Sequence, residues 1–153
     1  MKPIAAFAAK VNSKILLDFK LVVERAGRFY LLNDALKSVS RQDFFYSGLL
    51  LGKMKKEKFF PSFNLLAMLA ENKANKVVVD EKAAWLFICG RDIFGKGIRT
   101  VQGSRRKGDF TLVLNVFGEC IGFGRILQDL NSKDADVFIR NVSDVGDFLR
   151  RER

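Results

Sequence analysis

Apolar residues in the first part of the chain follow a helical pattern and then shorter, hairpin-like patterns. Ile4, Phe7 and Val11 recur at helical intervals, which predicts an amphipathic helix ending at about Leu17. The apolar segments that follow are short and separated by polar turns, as in hairpins. The pattern predicts, in order, a helix to residue 17, strands 20–24 and 28–32, a helix from Asn33 or Asp34 to 39, strands 44–54 and 58–60, and a helix opened by Pro61.

Residues 71–76 are polar and lack periodicity, so we expect a domain boundary there. After them, a β-branched strand at 77–79 is followed by Asp80, which can cap a helix that Gly90 ends. A Gly-rich loop then leads from Gly90 to a strand that begins at Ile98. The rest of the pattern predicts a polar loop at 102–108, strands at 110–116, 120–127 and 137–142, and a last helix capped by Ser143.

These elements predict an α+β protein with two units. Residues 1–74 form an N-terminal antiparallel sheet packed with helices, and residues 75–153 form a mixed β pseudo-barrel. Gly122 and Gly124 fall inside a predicted barrel strand, where glycine marks a bend or close backbone packing.

The charge of the chain favours a polyanionic partner. The formal net charge is +10, and residues 1–74 carry +7 of it, from thirteen Lys or Arg against six Asp or Glu. The remaining +3 lies in residues 75–153, from fourteen basic against eleven acidic residues. RNA or DNA is the commonest partner of such a basic protein, although a basic surface without any partner also occurs.

The residue types argue against an enzyme. The chain contains no histidine, and Cys89 and Cys120 lie in apolar stretches, which favours buried, reduced thiols without a zinc or redox site. The loop from Gly90 to Gly97 resembles a phosphate-binding P-loop, but it follows a helix and lacks the final Ser or Thr. We therefore expect no catalytic residues, no metal, no cofactor and no small-molecule substrate. No targeting or membrane-spanning segment is predicted, so the expected location is the cytoplasm.

Several basic residues are candidates for contact with phosphate, each with a structural alternative. Lys53, Lys55, Lys56 and Lys58 crowd a predicted hairpin, where lysines also protect sheet edges from pairing. Arginines at the end of the chain also suit the last turn of a helix. Gly97 lacks a Cβ and could let backbone approach a phosphate closely, or it could serve only a tight turn. Phe59 and Phe60 could stack on bases, but core packing is the commoner use of such residues.

The segment from residue 77 to 98 resembles the opening of a PUA domain, a small RNA-binding barrel. Over most of its length the chain resembles the Nip-seven family of ribosome-biogenesis factors. That resemblance is carried by residues 46–53 (YSGLLLGK), 85–92 (WLFICGRD), 122–124 (GFG) and 141–151 (NVSDVGDFLRR).

The resemblance implies a pre-PUA domain followed by a PUA domain, RNA binding without catalysis, and work on precursor RNA of the large ribosomal subunit with other assembly proteins. In a eukaryote it also implies a nucleolar location. The RNA-binding residues it indicates are Arg91, Lys96, Gly97, Arg99, Arg125, Arg140, Arg150 and Arg151, with the four hairpin lysines as a possible second basic face.

The sequence is also compatible with two other functions. One is a protein–protein adaptor whose barrel has low RNA affinity, which agrees with the modest charge of the C-terminal half. The other is a stand-alone PUA partner of a tRNA-modifying enzyme, since one fold can serve several functions.

Overall fold

The computed structural model describes residues 2–39, 47–131 and 137–151, without the side chains of Phe148, Leu149 and Arg151. The helices and strands of these ranges are α1 (Lys2–Lys10), β1 (Val22–Arg25), β2 (Arg28–Leu31), α2 (Asp34–Val39), β3 (Leu49–Lys55), β4 (Lys58–Pro61), α3 (Phe63–Glu71), β5 (Lys76–Val79), α4 (Glu81–Ile88), β6 (Ile93–Phe94), β7 (Ile98–Gln102), β8 (Phe110–Leu114), β9 (Cys120–Ile126), β10 (Val137–Asp144) and α5 (Gly146–Arg151). None of the described helices has the length and apolar character that a membrane-spanning helix requires.

The N-terminal unit contains a four-stranded antiparallel sheet in the order β1-β2-β3-β4. Two of its connections are two-residue turns in which both residues have positive φ, the conformation that matches the twist of a hairpin. Ala26 and Gly27 have φ of 48° and 71° in the first turn, and Lys56 and Glu57 have φ of 46° and 61° in the second. Both predicted hairpins are therefore confirmed.

Two expectations for this unit differ from the structure, and one extends to residues outside the described ranges. Helix α1 ends at Lys10 because Asn12 adopts φ 53° and the Ser13 N–H donates to the Ala8 carbonyl. Pro61 ends β4, where an edge strand tolerates its missing N–H, and Ser62 caps α3 by accepting from the Leu65 N–H at 3.2 Å. Strand β3 begins at Leu49, and residues 44–46 of the longer predicted strand lie outside the described residues.

The C-terminal unit is a six-stranded sheet in the order β6-β10-β9-β8-β5-β7. Only β5 and β8 pair in parallel among its described strands. The two edge strands, β6 and β7, follow each other in sequence and are joined by a single 3-10 turn at Gly95–Gly97. The sheet therefore curls back toward itself, which confirms the predicted α+β fold with a mixed pseudo-barrel.

Local signals in this unit account for most of its elements. Asp80 caps α4 by accepting from the Ala83 N–H at 2.7 Å, as expected. Gly122 was expected at a bend or close packing, and a Cβ there would lie 2.1 Å from the Ser143 carbonyl oxygen. Ser143 itself is not a helix cap, because β10 continues through it to Asp144 and pairs it with Phe123. The predicted Gly-rich loop also contains β6, whose pairing with β10 has no local sequence signal.

The apolar core connects the two units. One cluster fills the pseudo-barrel around Phe87. The other combines α1 and α3 with the outer face of the barrel sheet, where Phe7 meets Phe123 edge-on at 5.1 Å between ring centroids. Buried Asn75, at the expected boundary, donates its N–H to the Val11 carbonyl and its Nδ2 to the Phe110 carbonyl. Packing is therefore continuous across the position at which we place the boundary.

The two cysteines differ in exposure. Cys120 is half-buried, and its burial raises the pKa of the thiol to about 11. Cys89 is exposed at the end of α4, which corrects the expectation that both thiols are buried. The apolar stretch before Cys89 belongs to α4, whereas Cys89 itself follows the last residue of that helix and is exposed to solvent.

Candidate nucleic-acid interface

Arg125 and Arg140 form a pair on neighbouring strands of the pseudo-barrel. They lie directly opposite each other in the β9–β10 ladder, and both are exposed. Residues opposite each other in an antiparallel pair have Cβ atoms about 5 Å apart on the same face of the sheet. Like charges in such positions repel each other, and a bound anion would relieve the repulsion. This barrel arginine pair is therefore suited to phosphate.

Contacts with its neighbours orient the Arg125 side chain. Its Nε donates to the Gly108 carbonyl at 3.1 Å, and its guanidinium lies 6.0 Å from the centroid of the Phe110 ring. Lys10 at the end of α1 lies near the same ring, with its Nζ 5.8 Å from the centroid. The Phe110 ring therefore lies near one cation from the barrel and one cation from the N-terminal unit.

The other predicted barrel residues do not all lie beside this pair. Arg91, Lys96 and Arg99 are exposed. Arg91 follows α4, Lys96 lies in the turn between the two edge strands, and Arg99 lies on β7, which β8 and β5 separate from β9. Their contact with RNA stays a prediction.

Gly97 has a structural reason to be glycine. It is buried, and a Cβ on it would lie 2.6 Å from the Cβ of Ala83 in the first turn of α4. Its carbonyl also accepts from the Asp80 N–H at 2.9 Å. The close approach to α4 favours the structural alternative for Gly97, and its contact with a phosphate stays a prediction.

Arg150 is also engaged within the protein. Its guanidinium donates to Asp144 Oδ2 at 2.8 Å and to the Ile88 carbonyl. Asp144 is buried, and its Oδ2 also accepts from Asn141 Nδ2 at 3.0 Å. The hydrogen bond with Asp144 raises the pKa of Arg150 above its usual value. Arg150 therefore neutralises a buried carboxylate and holds α5 against α4. Its side chain remains exposed, and its contact with RNA stays a prediction. The side chain of Arg151 lies outside the described residues.

The hairpin lysines divide into two groups. Lys53 and Lys58 line a groove between the β3–β4 hairpin, α1 and the barrel sheet, whereas Lys55 and Lys56 are exposed near the hairpin tip. The groove has a volume of about 1010 Å³. Its walls are mainly aromatic and other apolar side chains, with lysines at the rim. Its lining includes Lys10, Lys53, Lys58, Phe60, Phe110 and Val142.

Sequence reasoning missed Lys10 and Phe110 as members of a possible site. The alternation in β8 places Phe110 on the face toward α1, but no local pattern shows which helix covers that face. The position of Lys10 in the last turn of α1 is visible only after the helix is known to end there. Both residues are brought together by packing between the two units.

Two family comparisons match separate parts of the chain. Residues 75–153 match the UPF0113 PUA domain family, and residues 6–69 are similar to the first C-terminal domain of the RsmF rRNA methyltransferase. A UPF0113 protein of Archaeoglobus fulgidus is 29% identical over 112 residues, which cover 71% of this chain and 63% of that protein. The match therefore spans less than two thirds of that relative.

Solved structures agree with the fold. A conserved PUA domain protein from Thermoplasma acidophilum is 22% identical, with 99% of this chain and 92% of that chain covered and a TM-score of 0.64. A hypothetical protein from Pyrococcus horikoshii is 17% identical, with 99% and 95% covered and a TM-score of 0.59. The curled barrel and the match over residues 75–153 agree, and this chain belongs to the UPF0113 PUA domain family.

Proposed function

We propose that this protein is a non-catalytic RNA-binding factor that acts on precursor ribosomal RNA during assembly of the large subunit, as the resemblance to the Nip-seven family implies. The observation that carries the proposal is the barrel arginine pair, two exposed cations opposite each other on an ordered sheet. Paired cations on a rigid surface bind the sugar–phosphate backbone without reading sequence.

Two further observations support RNA as the partner. The net charge of +10 gives the whole molecule long-range attraction for polyanions. Residues 6–69 are similar to a domain of a protein that is named as an rRNA methyltransferase. The action proposed here is binding, together with other assembly proteins, in the cytoplasm or in the nucleolus of a eukaryote.

The test is to crosslink bound RNA in cells and sequence it, with an Arg125→Ala/Arg140→Ala variant as the control for specific capture. Enrichment of precursor ribosomal RNA that the variant loses is the expected result. Enrichment of tRNA would instead support a partner of a tRNA-modifying enzyme. A protein complex that survives nuclease, without enriched RNA, would replace the proposal with an adaptor function.

A further inference from the structure

The aromatic groove and the barrel arginine pair are adjacent parts of one surface. Phe110 lines the groove and also pairs with Arg125 across β8 and β9. Val142, two residues after Arg140 on β10, lines the groove as well. The groove between the units therefore lies directly beside the barrel arginine pair.

The rim of the groove carries more positive than negative charge. Lys2, Lys10, Lys53 and Lys58 line it together with two acidic residues, Glu57 and Asp147. The four lysines are exposed, so they can reach a ligand that lies along the groove. An anionic chain that starts at Arg125 and Arg140 would meet further cations in this direction.

Aromatic rings are available between those cations. Phe60 is 38% exposed although it lies in a strand, and Phe110 is half-buried with its ring near Lys10. Sites for single-stranded nucleic acid combine a positive groove that follows the backbone with rings on which bases stack. Bases in a duplex are already stacked and paired, so they could not use these rings.

We infer that the groove between the two units binds unpaired nucleotides of an RNA strand whose neighbouring phosphates contact Arg125 and Arg140. This inference rests on the proposed RNA-binding function and extends the RNA site from the barrel to the N-terminal unit. It makes the barrel arginines and the groove lysines parts of one site instead of two alternative faces. Lys55 and Lys56 are not part of this RNA site, because they do not line the groove.

The test measures binding of a mixed-sequence single-stranded RNA, and of the matching duplex, by fluorescence anisotropy. Lys10→Ala/Lys58→Ala removes two rim charges, and Phe60→Leu removes a ring while it keeps an apolar side chain. The matched control is Lys73→Ala/Lys82→Ala, which removes two exposed lysines that do not line the groove. Thermal melting checks that each variant is folded.

The lysine variant should lower the slope of log affinity against log salt by about 1.4, from about 0.7 for each phosphate contact on a single strand. Phe60→Leu should weaken single-strand binding about fivefold or more, the lower end of the effect of losing one stacked base. The control variant should bind like the original protein, and the single strand should bind better than the duplex.

The outcomes separate this inference from the proposed function. If only Arg125→Ala/Arg140→Ala weakens binding, or if the duplex binds as well as the single strand, the groove inference is wrong and the barrel proposal stands. If the unaltered protein binds neither RNA, both are wrong. An acidic, apolar peptide that binds in a Lys10- and Lys58-dependent manner, without RNA binding, would identify the groove as a protein-docking site.

Discussion

Replacing both residues of the barrel arginine pair with alanine should change the salt dependence of RNA binding by a predictable amount. For a single strand, each phosphate contact contributes about 0.7 to the slope of log affinity against log salt. If the original protein makes about four phosphate contacts, its affinity for RNA would fall on the order of fifty-fold over a fourfold rise in salt. Loss of two contacts lowers the slope by about 1.4. The ratio of the original protein's affinity to that of the variant should therefore fall about sevenfold over the fourfold rise in salt.

The same substitution should have a small effect on stability. Arg140 and Arg125 are exposed, and exposed charges contribute little. Arg125 also donates one hydrogen bond to the Gly108 carbonyl, and such a bond contributes about 1 kcal/mol. For a protein of this size that corresponds to a fall in melting temperature of about 2–4 °C. A large fall would mean that the pair has a structural role.

The assay is a filter-binding titration at three salt concentrations, with Arg125→Lys/Arg140→Lys as the charge-preserving control. The Arg125→Lys/Arg140→Lys variant should retain the original slope of log affinity against log salt, because that slope depends on the number of charges and not on hydrogen-bond geometry. If plots of log affinity against log salt were parallel for the original protein and the alanine variant, the reasoning would be refuted. A change seen only with Lys55→Ala/Lys56→Ala would place RNA on the hairpin tip and not on the barrel.

Three further predictions concern residues outside the proposed RNA site. Gly97→Ala should destabilise the protein by about 1–3 kcal/mol, because the new Cβ would meet Ala83, and adding Ala83→Gly should restore part of the loss in a denaturant titration. Asp144→Ala should lower the free energy of unfolding by about 2–3 kcal/mol, since it removes the charged acceptor of two hydrogen bonds, and a Tm above that of the original protein would contradict this account. At pH 8 a thiol reagent should modify Cys89 rapidly, whereas Cys120, whose thiolate forms only near its raised pKa of about 11, should react only in denaturant.

Local chemistry predicted those elements whose signals lie within a few residues. The cap at Asp80 and the two hairpin turns depend on neighbours in the sequence, and the structure confirms them. Patterns failed where a residue type fits two structures. Pro61 suits both a helix start and an edge strand, and Ser143 suits both a cap and a strand. Only the partner strand distinguishes these possibilities.

The candidate site was less predictable than the fold. Arg125 and Arg140 were among the basic residues expected to contact RNA, but their direct pairing is set by the register of β9 and β10. The engagement of Arg150 depends on a carboxylate that β10 buries, which polar character alone does not reveal. The groove results from docking of α1 and the β3–β4 hairpin against the barrel, and no segment encodes it by itself.

The two-faced barrel sheet has a consequence for how the protein unfolds. In β8, Leu112 belongs to the cluster shared with the N-terminal helices, whereas the next residue, Val113, belongs to the barrel interior. Melting of either cluster would leave one apolar face of β8 and β9 in water, so we expect a single cooperative transition and not two. Amide protons of β8 should exchange with solvent only through global opening, at the slowest rates in the molecule. Residues 75–153 expressed alone would expose Leu114 and Phe123, and we expect that fragment to associate or aggregate.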